Sequence, residues 1–247
     1  MKQSVYSVIY KDEDLIIVNK AAGLLVAADR WDKKAERLDK MLSEELFGKN
    51  SYENKLFAVH RIDKDTSGLI MYALNSKSHQ ILNAQFQNKE IEKIYHAVIL
   101  GSPPQSEFVC SAKLKADSDK LHRTITDEKH GKDSYTEFKV LKKFGRFTLL
   151  QAKPVSGRTH QIRIHLKHIG FPILCDPLYG SSEPVFLSNI KKSWHGNKYE
   201  ERPLLNRLAL HAYALKFMHP IKGYIIEVTA EYPKDFRSLL TQLKNIA

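Results

Sequence analysis

The sequence predicts an α+β protein built around a central, mostly antiparallel β-sheet that is flanked by helices and loops. Short apolar runs that are typical of strands dominate the 247 residues, and most of them follow one another through turns rather than through helices. The regular alternation of strand and helix that a parallel sheet requires is not present. The apolar fraction of 43% and the charged fraction of 27% are those of a folded chain with a sizeable core.

The first hundred residues are predicted to form two strands joined by a turn, followed by helices and strands in turn. Apolar residues at helical spacing predict a helix that ends before Gly48. The predicted elements are the strands Tyr6–Tyr10 and Leu15–Asn19, the helix Arg37–Phe47, the strand Leu69–Leu74, the helix Ser76–Gln87 and the strand Ile94–Leu100.

The rest of the chain has more strand pattern and two long polar stretches. Lys113–Ser134 and Ser181–Arg202 are rich in cations and are predicted to be loops, either functional or simply solvated. Trp194 and Tyr199 lie among the charges of the second, a combination that suits base stacking and phosphate contact. The other predicted elements are a hairpin of Phe138–Leu141 and Phe147–Ala152, the helix Arg158–Ile169, the strands Leu208–Phe217 and Tyr224–Tyr232, and the helix Lys234–Lys244.

The charge balance indicates a polyanionic partner. Lys and Arg number 39 against 28 Asp and Glu, a net charge of +11, and basic proteins bind nucleic acid through phosphate contacts and counterion release. A basic protein with no nucleic-acid role is the alternative. No apolar run approaches the roughly 20 residues that span a bilayer, and the N-terminal sequence is not a signal peptide.

Cys110 and Cys175 lie far apart in the sequence, which fits a reducing compartment and excludes a disulfide scaffold or a four-cysteine zinc site. We therefore expect a cytoplasmic protein. Because no repeat or low-complexity tract divides the chain, we expect residues 1–247 to form a single domain.

Two polar segments crowd reactive residue types beside apolar elements: HRIDKDTSG at 60–68 and GRTHQIRIH at 157–165. The Gly-x-Ser-x-Gly pattern of a serine hydrolase and the glycine-rich nucleotide-binding patterns are absent. Three histidines of the second segment and its helix lack the spacing of a helical zinc pair, so we expect no metal: His160, His165 and His168.

What remains is a carboxylate, Asp63 or Asp65, in an arginine-rich setting. It is either a nucleophile or base that a guanidinium keeps ionised, or one half of a structural ion pair at a turn. Residue spacing alone leaves both interpretations open.

The two segments resemble the motifs of the RluA-type pseudouridine synthases. HRIDKDTSGL, at 60–69, is similar to the family's His-Arg-Leu-Asp-x-x-Thr-Ser-Gly-Leu. GRTHQIRIHLKHIGFPILCDPLYG, at 157–180, is similar to Gly-Arg-Thr-His-Gln-Ile-Arg-x-His followed by Gly-x-Pro-Ile-x-x-Asp-x-x-Tyr-Gly. Weaker similarities lie in DEDLIIVNKAAGLLV (12–26), EKIYHAVILG (92–101) and RLALHAYALKFMHP (207–220).

The resemblance implies a pseudouridine synthase fold and the isomerisation of uridine to pseudouridine in ribosomal or transfer RNA, without cofactor or metal. It implies that Asp63, Tyr95 and Arg163 are the catalytic residues. Asp63 is expected to be the catalytic carboxylate, Tyr95 to lie against the target base as the candidate base for the C5 proton, and Arg163 to pair with Asp63. Arg61 and Thr66 are expected to hold the catalytic loop. The substrate-binding residues that the resemblance implies are Arg61, Thr66, Arg158, His160 and Gln161.

The route of the reaction stays open, because the carboxylate could attack the sugar carbon, attack the base or remove a sugar proton. The target base is expected to leave the stack before it reacts. The match starts near residue 6, so we expect a short form without an N-terminal S4 domain, a monomer that acts on an RNA stem-loop. The alternatives are a non-catalytic RNA-binding protein with the same fold and a nucleosidase that releases uracil.

Overall fold

The computed structural model describes residues 5–28, 36–48, 56–191 and 193–245. They form two compact units: unit 1 runs up to Lys93 and includes Ala212–Glu231, and unit 2 comprises Ile94–His211 and the residues from Tyr232 onwards. The expectation of a single domain over 1–247 stays a prediction. Within the described ranges, no helix combines the length and the apolar character needed to cross a membrane.

The elements in chain order are β1 (Tyr6–Lys11), β2 (Leu15–Lys20), α1 (Leu38–Phe47), β3 (Phe57–Ala58), β4 (Ser67–Ala73), α2 (Ser76–Gln87), β5 (Glu92–Leu100), β6 (Glu107–Lys115), β7 (Ile125–Thr126), β8 (Lys132–Phe144), β9 (Phe147–Pro154), α3 (Gln161–His168), β10 (Leu210–Met218), β11 (Ile225–Thr229) and α4 (Lys234–Lys244).

Unit 1 is a sheet in the order β1-β2-β4-β10, with β3 also on β4 and β11 also on β10. The pairs β1·β2, β2·β4, β3·β4 and β10·β11 are antiparallel. Leu15, Leu69 and Met71 of the central strands are fully buried and belong to one core cluster with Leu82 of α2. The Asn75 side chain accepts the Ser78 N–H at 2.8 Å and so caps α2.

Unit 2 is a sheet in the order β5-β9-β8-β6-β7, and its neighbouring strands are antiparallel. Its core joins Leu150 of the sheet to Leu166 of α3 and to Phe236 of α4, all fully buried. The i, i+3, i+4 and i+7 spacing of apolar residues in α4 is the reason for its packing, because it places them on one face.

The predicted α+β class with a mostly antiparallel sheet is confirmed, and the helices Ser76–Gln87 and Lys234–Lys244 are confirmed at both ends. The described residues of Ser181–Arg202 hold no named helix or strand, as predicted. The loop predicted at Lys113–Ser134 is wrong, because the segment contains the end of β6, all of β7 and the start of β8.

The helix predicted at Arg158–Ile169 starts three residues later than expected. His160 has a φ of 53°, in the left-handed region, which the helix cannot continue through. α3 therefore begins at Gln161, and the polar residues before it belong to a turn.

Candidate active site

Asp63 is partly exposed and lies at the start of a tight turn in unit 1. The Thr66 N–H donates to the Asp63 carbonyl oxygen at 3.1 Å and closes that turn. The Lys64 carbonyl oxygen accepts the Gly23 N–H at 2.8 Å and the Lys20 ammonium at 2.9 Å. Lys20 is fully buried, and a buried ammonium is tolerated only where acceptors hold it. These contacts fix the backbone that carries Asp63.

Gly68 is the second residue of β4, which begins just after the turn. Its φ is +113°, and a Cβ placed on it would lie 2.2 Å from the carbonyl oxygen of Ala212. Only glycine accepts both the backbone conformation and the close approach of the neighbouring strand. The strand that follows the Asp63 turn therefore requires glycine at this position.

The neighbours of Asp63 differ in their surroundings. The His60 ring accepts the Met71 N–H through Nε2 at 3.1 Å, and burial, with the Lys93 charge as a second cause, lowers the pKa of His60 to about 3. This neutral histidine ties the segment to β4. Arg61 is exposed, whereas Thr66 is buried and its Oγ1 has no hydrogen-bond partner among the described residues. The loop-holding roles of Arg61 and Thr66 stay predictions.

The turn before α3 is organised by Gln161, which is 4% exposed. Its carboxamide makes four hydrogen bonds of 2.7 to 3.0 Å, with Tyr135, Thr136, Ser156 and Arg158. These are the contacts of a residue that shapes the turn. Arg158 is exposed, and its Nε also donates to the Asp133 carbonyl oxygen at 3.3 Å. The substrate contacts predicted for Arg158 and Gln161 stay predictions.

Arg163 forms a buried bidentate ion pair with Asp176. Nε donates to Oδ2 at 2.8 Å and Nη2 to Oδ1 at 2.7 Å, and the two side chains are 5% and 0% exposed. Asp176 Oδ1 also accepts the N–H groups of Leu178 and Tyr179 at 3.0 and 3.2 Å. A guanidinium has five N–H donors, of which Asp176 engages two. The pairing of Arg163 with Asp63 stays a prediction.

Sequence reasoning missed Asp176 as a partner of Arg163, although both residues lie in the segment 157–180 that carries the resemblance. The signal available was the conjunction of an arginine on a helix with an aspartate shortly after it. Such a spacing has many interpretations, and only the folded chain shows that the two side chains meet.

Tyr95 lies on β5 opposite Ala152 and packs partly buried against the core of unit 2. The next residue, His96, points to the other face of the strand, where its Nδ1 lies 2.6 Å from the Tyr232 hydroxyl. Burial, with His211 as a second cause, lowers the pKa of His96 to about 4.

The structure brings four predicted residues together at the start of α3 in unit 2: Arg158, His160, Gln161 and Arg163. Tyr95 belongs to the same unit, whereas Arg61, Asp63 and Thr66 belong to unit 1. The meeting of Asp63, Tyr95 and Arg163 in one cleft therefore stays a prediction.

A cluster with the composition of a metal site lies elsewhere in unit 1, where ligand atoms of Asp12, Asp14 and His219 lie within 4.8 Å of one another. His219 Nδ1 accepts the N–H groups of Ile221 and Lys222 at 3.1 and 3.0 Å. The ring proton must then sit on Nε2, which donates to Asp12 Oδ2 at 2.7 Å. Neither ring nitrogen offers a lone pair to a cation, so the cluster is a hydrogen-bonded support of the turn.

His165 of α3 should make the protein sensitive to acid. It is fully buried between Ser134 Oγ at 2.8 Å and Thr136 Oγ1 at 3.0 Å, and burial, with the His168 charge as a second cause, lowers its pKa from 6.5 to about 4. The folded state favours the neutral ring. The contribution of His165 to the free energy of unfolding is therefore fully present above pH 6.5 and is lost as the pH falls towards 4. We expect a loss of about 2 kcal/mol between pH 7 and pH 5.

The measurement is the free energy of unfolding by denaturant at both pH values. His165→Gln keeps a donor and an acceptor but does not titrate, so its stability should fall less between pH 7 and pH 5 than that of the wild type. His130→Gln, at an exposed histidine side chain of the same unit, is the matched control. An identical pH dependence in the wild type and His165→Gln would contradict the assignment.

Comparisons with known proteins agree with one another. A family model described as RNA pseudouridylate synthase matches residues 14–168. An uncharacterized RNA pseudouridine synthase from Bacillus subtilis is 34% identical over 237 residues, 95% of this chain and 72% of that protein. Ribosomal large subunit pseudouridine synthase C from Vibrio vulnificus is 34% identical over 239 residues, 96% of this chain and 69% of that protein.

Solved structures support the fold. The human RNA pseudouridylate synthase domain containing 4 superposes with a TM-score of 0.72 at 22% identity, covering 96% of this chain and 92% of that one. The human RNA pseudouridylate synthase domain containing 1 gives a TM-score of 0.68 at 25% identity, covering 94% and 86%. The fold that the motif resemblance implied is confirmed.

Proposed function

The chain belongs to the RNA pseudouridylate synthase family, and from that premise we propose that it isomerises uridine at specific positions of ribosomal or transfer RNA with Asp63 as its catalytic carboxylate. The observation that carries the proposal is the family match over residues 14–168, which includes Asp63, Tyr95 and Arg163. The enzyme class, an isomerase, follows from the family. The choice of RNA, the uridine and the residues that act are the proposal.

The reaction breaks the N1–C1′ bond of uridine, turns the uracil and joins C5 to C1′. The C5 proton is removed and N1 gains a proton, so the balance needs no oxidant, reductant or hydrolytic water. In the proposed mechanism, ionised Asp63 opens the reaction by attack on the sugar or the base or by removal of a sugar proton. Tyr95 lies against the base, and Arg163 pairs with Asp63.

The target uridine must leave the stack to reach Asp63, at a cost of a few kcal/mol. Phosphate contacts by a protein with a net charge of +11 offset that cost. Ser181–Arg202 is proposed as one such contact region. Its base is anchored by the antiparallel bridge of Val185 and Leu205, while Tyr199 beyond it is 100% exposed.

The cations of this region should contribute to the salt dependence of RNA binding. Lys191 is exposed, and its neighbour Lys192 lies outside the described residues. Replacing both lysines by alanine should weaken RNA binding. It should also make the negative slope of log K against log salt less steep, by about 0.7 to 0.9 for each phosphate that a lysine no longer neutralises. Lys216→Ala, which removes an exposed partner of Glu227 in unit 1, is the control with an unaltered slope. A slope that stays the same in the double variant would mean that the region is solvated surface.

The experiment that tests the function is pseudouridine mapping by carbodiimide-based sequencing of total RNA from cells with and without the gene. Loss of one or a few sites is the expected result, and it would identify the RNA. If no site is lost, purified protein is incubated with unmodified ribosomal and transfer RNA. Absence of pseudouridine there, with RNA binding intact, would overturn the proposal in favour of a non-catalytic RNA-binding protein.

A further inference from the structure

The hydroxyl of Tyr179 connects three segments of unit 2. Tyr179 is 5% exposed, and its oxygen accepts the backbone N–H of Thr124 at 2.7 Å. It also lies 2.9 Å from Nδ1 of His160. Burial raises the pKa of Tyr179, so the hydroxyl keeps its proton at neutral pH. The hydroxyl therefore accepts from Thr124 and shares a second hydrogen bond with the His160 ring.

Thr124 is the point where a basic loop is fastened. It is 1% exposed, and besides its N–H contact its Oγ1 donates to the Thr159 carbonyl oxygen at 3.0 Å. It ends the segment 116–124 between β6 and β7, whose middle is exposed: Leu121 has an exposed fraction of 60%, and Lys120 and His122 beside it are exposed. This segment is named the β6–β7 loop.

Tyr179 is itself held firmly. Asp176 Oδ1 accepts its backbone N–H at 3.2 Å, and the guanidinium of Arg163 lies over its ring at 5.1 Å from the centroid. A Cβ on the following Gly180 would lie 2.9 Å from the Ile173 carbonyl oxygen, so this turn can pack closely only with glycine there. The ion pair that orients Arg163 therefore also fixes the position of the hydroxyl.

We propose that Tyr179 is a positioning residue for RNA binding, whose hydroxyl holds the β6–β7 loop against the start of α3. The loop and the predicted substrate-binding residues Arg158 and His160 then meet the RNA as one preorganised surface. The ligand chemistry is the phosphate backbone and the unpaired bases of an RNA loop, which cations and exposed apolar side chains contact together. The inference rests on the proposed function for the identity of the RNA as substrate.

Tyr179→Phe removes the hydroxyl but keeps the ring, which can still pack against Arg163. The Thr124 N–H then loses its acceptor, and the loop must move or leave that donor unpaired. We expect the Kd for RNA and the KM to rise about tenfold, the cost of one buried hydrogen bond, while kcat changes less than about twofold. Tyr224→Phe, which removes an exposed hydroxyl contact with Tyr10 in unit 1, is the matched control and should bind RNA as the wild type does.

A double-variant comparison tests whether Tyr179 acts through the loop. Lys120→Ala should weaken RNA binding. In the Lys120→Ala background, Tyr179→Phe should raise the Kd for RNA much less than it does in the wild type, because the misplaced loop no longer has the Lys120 contact to lose. If the losses of binding free energy caused by the two substitutions simply add, the proposal is overturned. A fall in kcat at unchanged KM would also overturn it. Thr124→Val removes the side-chain contact with Thr159 but keeps the backbone N–H, and it should weaken binding in the same direction, which keeps the proposal testable if Tyr179→Phe folds poorly.

RNA binding is measured by filter retention of unmodified ribosomal and transfer RNA, and turnover by pseudouridine formation in the same mixtures. A wild type that binds RNA but forms no pseudouridine overturns the proposed function, while the binding comparison still decides on Tyr179. A wild type that binds no RNA overturns both.

Discussion

Asp63→Asn is expected to abolish pseudouridine formation while RNA affinity changes by no more than a few-fold. The amide has nearly the shape of the carboxylate but neither its charge nor its basicity, so every open route of the reaction loses its first step. The turn itself should persist, because the backbone carbonyl of residue 63 accepts the Thr66 N–H and is unchanged by the substitution. A fall in rate of about 10⁴-fold or more is the expected scale.

Asp65→Asn is the matched control for this variant. Asp65 lies on the same turn and is exposed, so it tests whether any loss of negative charge there would slow the enzyme. Single-turnover formation of pseudouridine should be close to that of the wild type. If Asp63→Asn turns over normally, the assignment of the catalytic carboxylate is wrong. If Asp65→Asn is the inactive variant, the two aspartates exchange roles.

Elements were predictable where a pattern repeats over several turns. α4 has four apolar positions at helical spacing, and α2 has an Asn cap before its first turn. β6 was missed because its inward residues, Cys110, Ala112 and Leu114, are mostly small, and the outward Val109 interrupts the alternation of apolar and polar residues. β3 and β7 have two residues each and exist only through their pairing with neighbours, which no local pattern reveals.

The candidate site was predictable in its residues but not in its contacts. The motif resemblance singles out His160 and Arg163, yet the αL conformation of His160 and the Asp176 partner of Arg163 arise from tertiary structure. Thr124 is 55 residues from the Tyr179 that binds it, and no spacing rule joins two such positions. Contacts of this kind connect a motif to the rest of the protein and are decided only when the chain folds.

Arg163→Ala is expected to cost both stability and activity. Removal of one partner from a buried ion pair leaves the other charge uncompensated, a loss of about 3 to 5 kcal/mol in the free energy of unfolding. Asp176→Asn should have a loss of the same order, because Arg163 then lacks its carboxylate. Asp235→Asn is the matched control. It breaks the bidentate pair of Asp235 with Arg207, whose side chains are 35% and 15% exposed. Because this pair is more exposed than that of Arg163 and Asp176, its loss should cost about 1 kcal/mol or less.

The double variant Arg163→Met with Asp176→Asn separates the two contributions of Arg163, because the asparagine oxygen still accepts the N–H groups of Leu178 and Tyr179. Neither uncharged side chain leaves a buried charge uncompensated, so stability should recover relative to either charge-breaking variant. Turnover measured on this folded protein then tests the chemistry without the instability. If activity stays lost, Arg163 acts beyond its pairing with Asp176, as its predicted contact with Asp63 requires. If activity returns together with stability, Arg163 is a structural residue, and the predicted Asp63–Arg163 pair does not take part in the reaction.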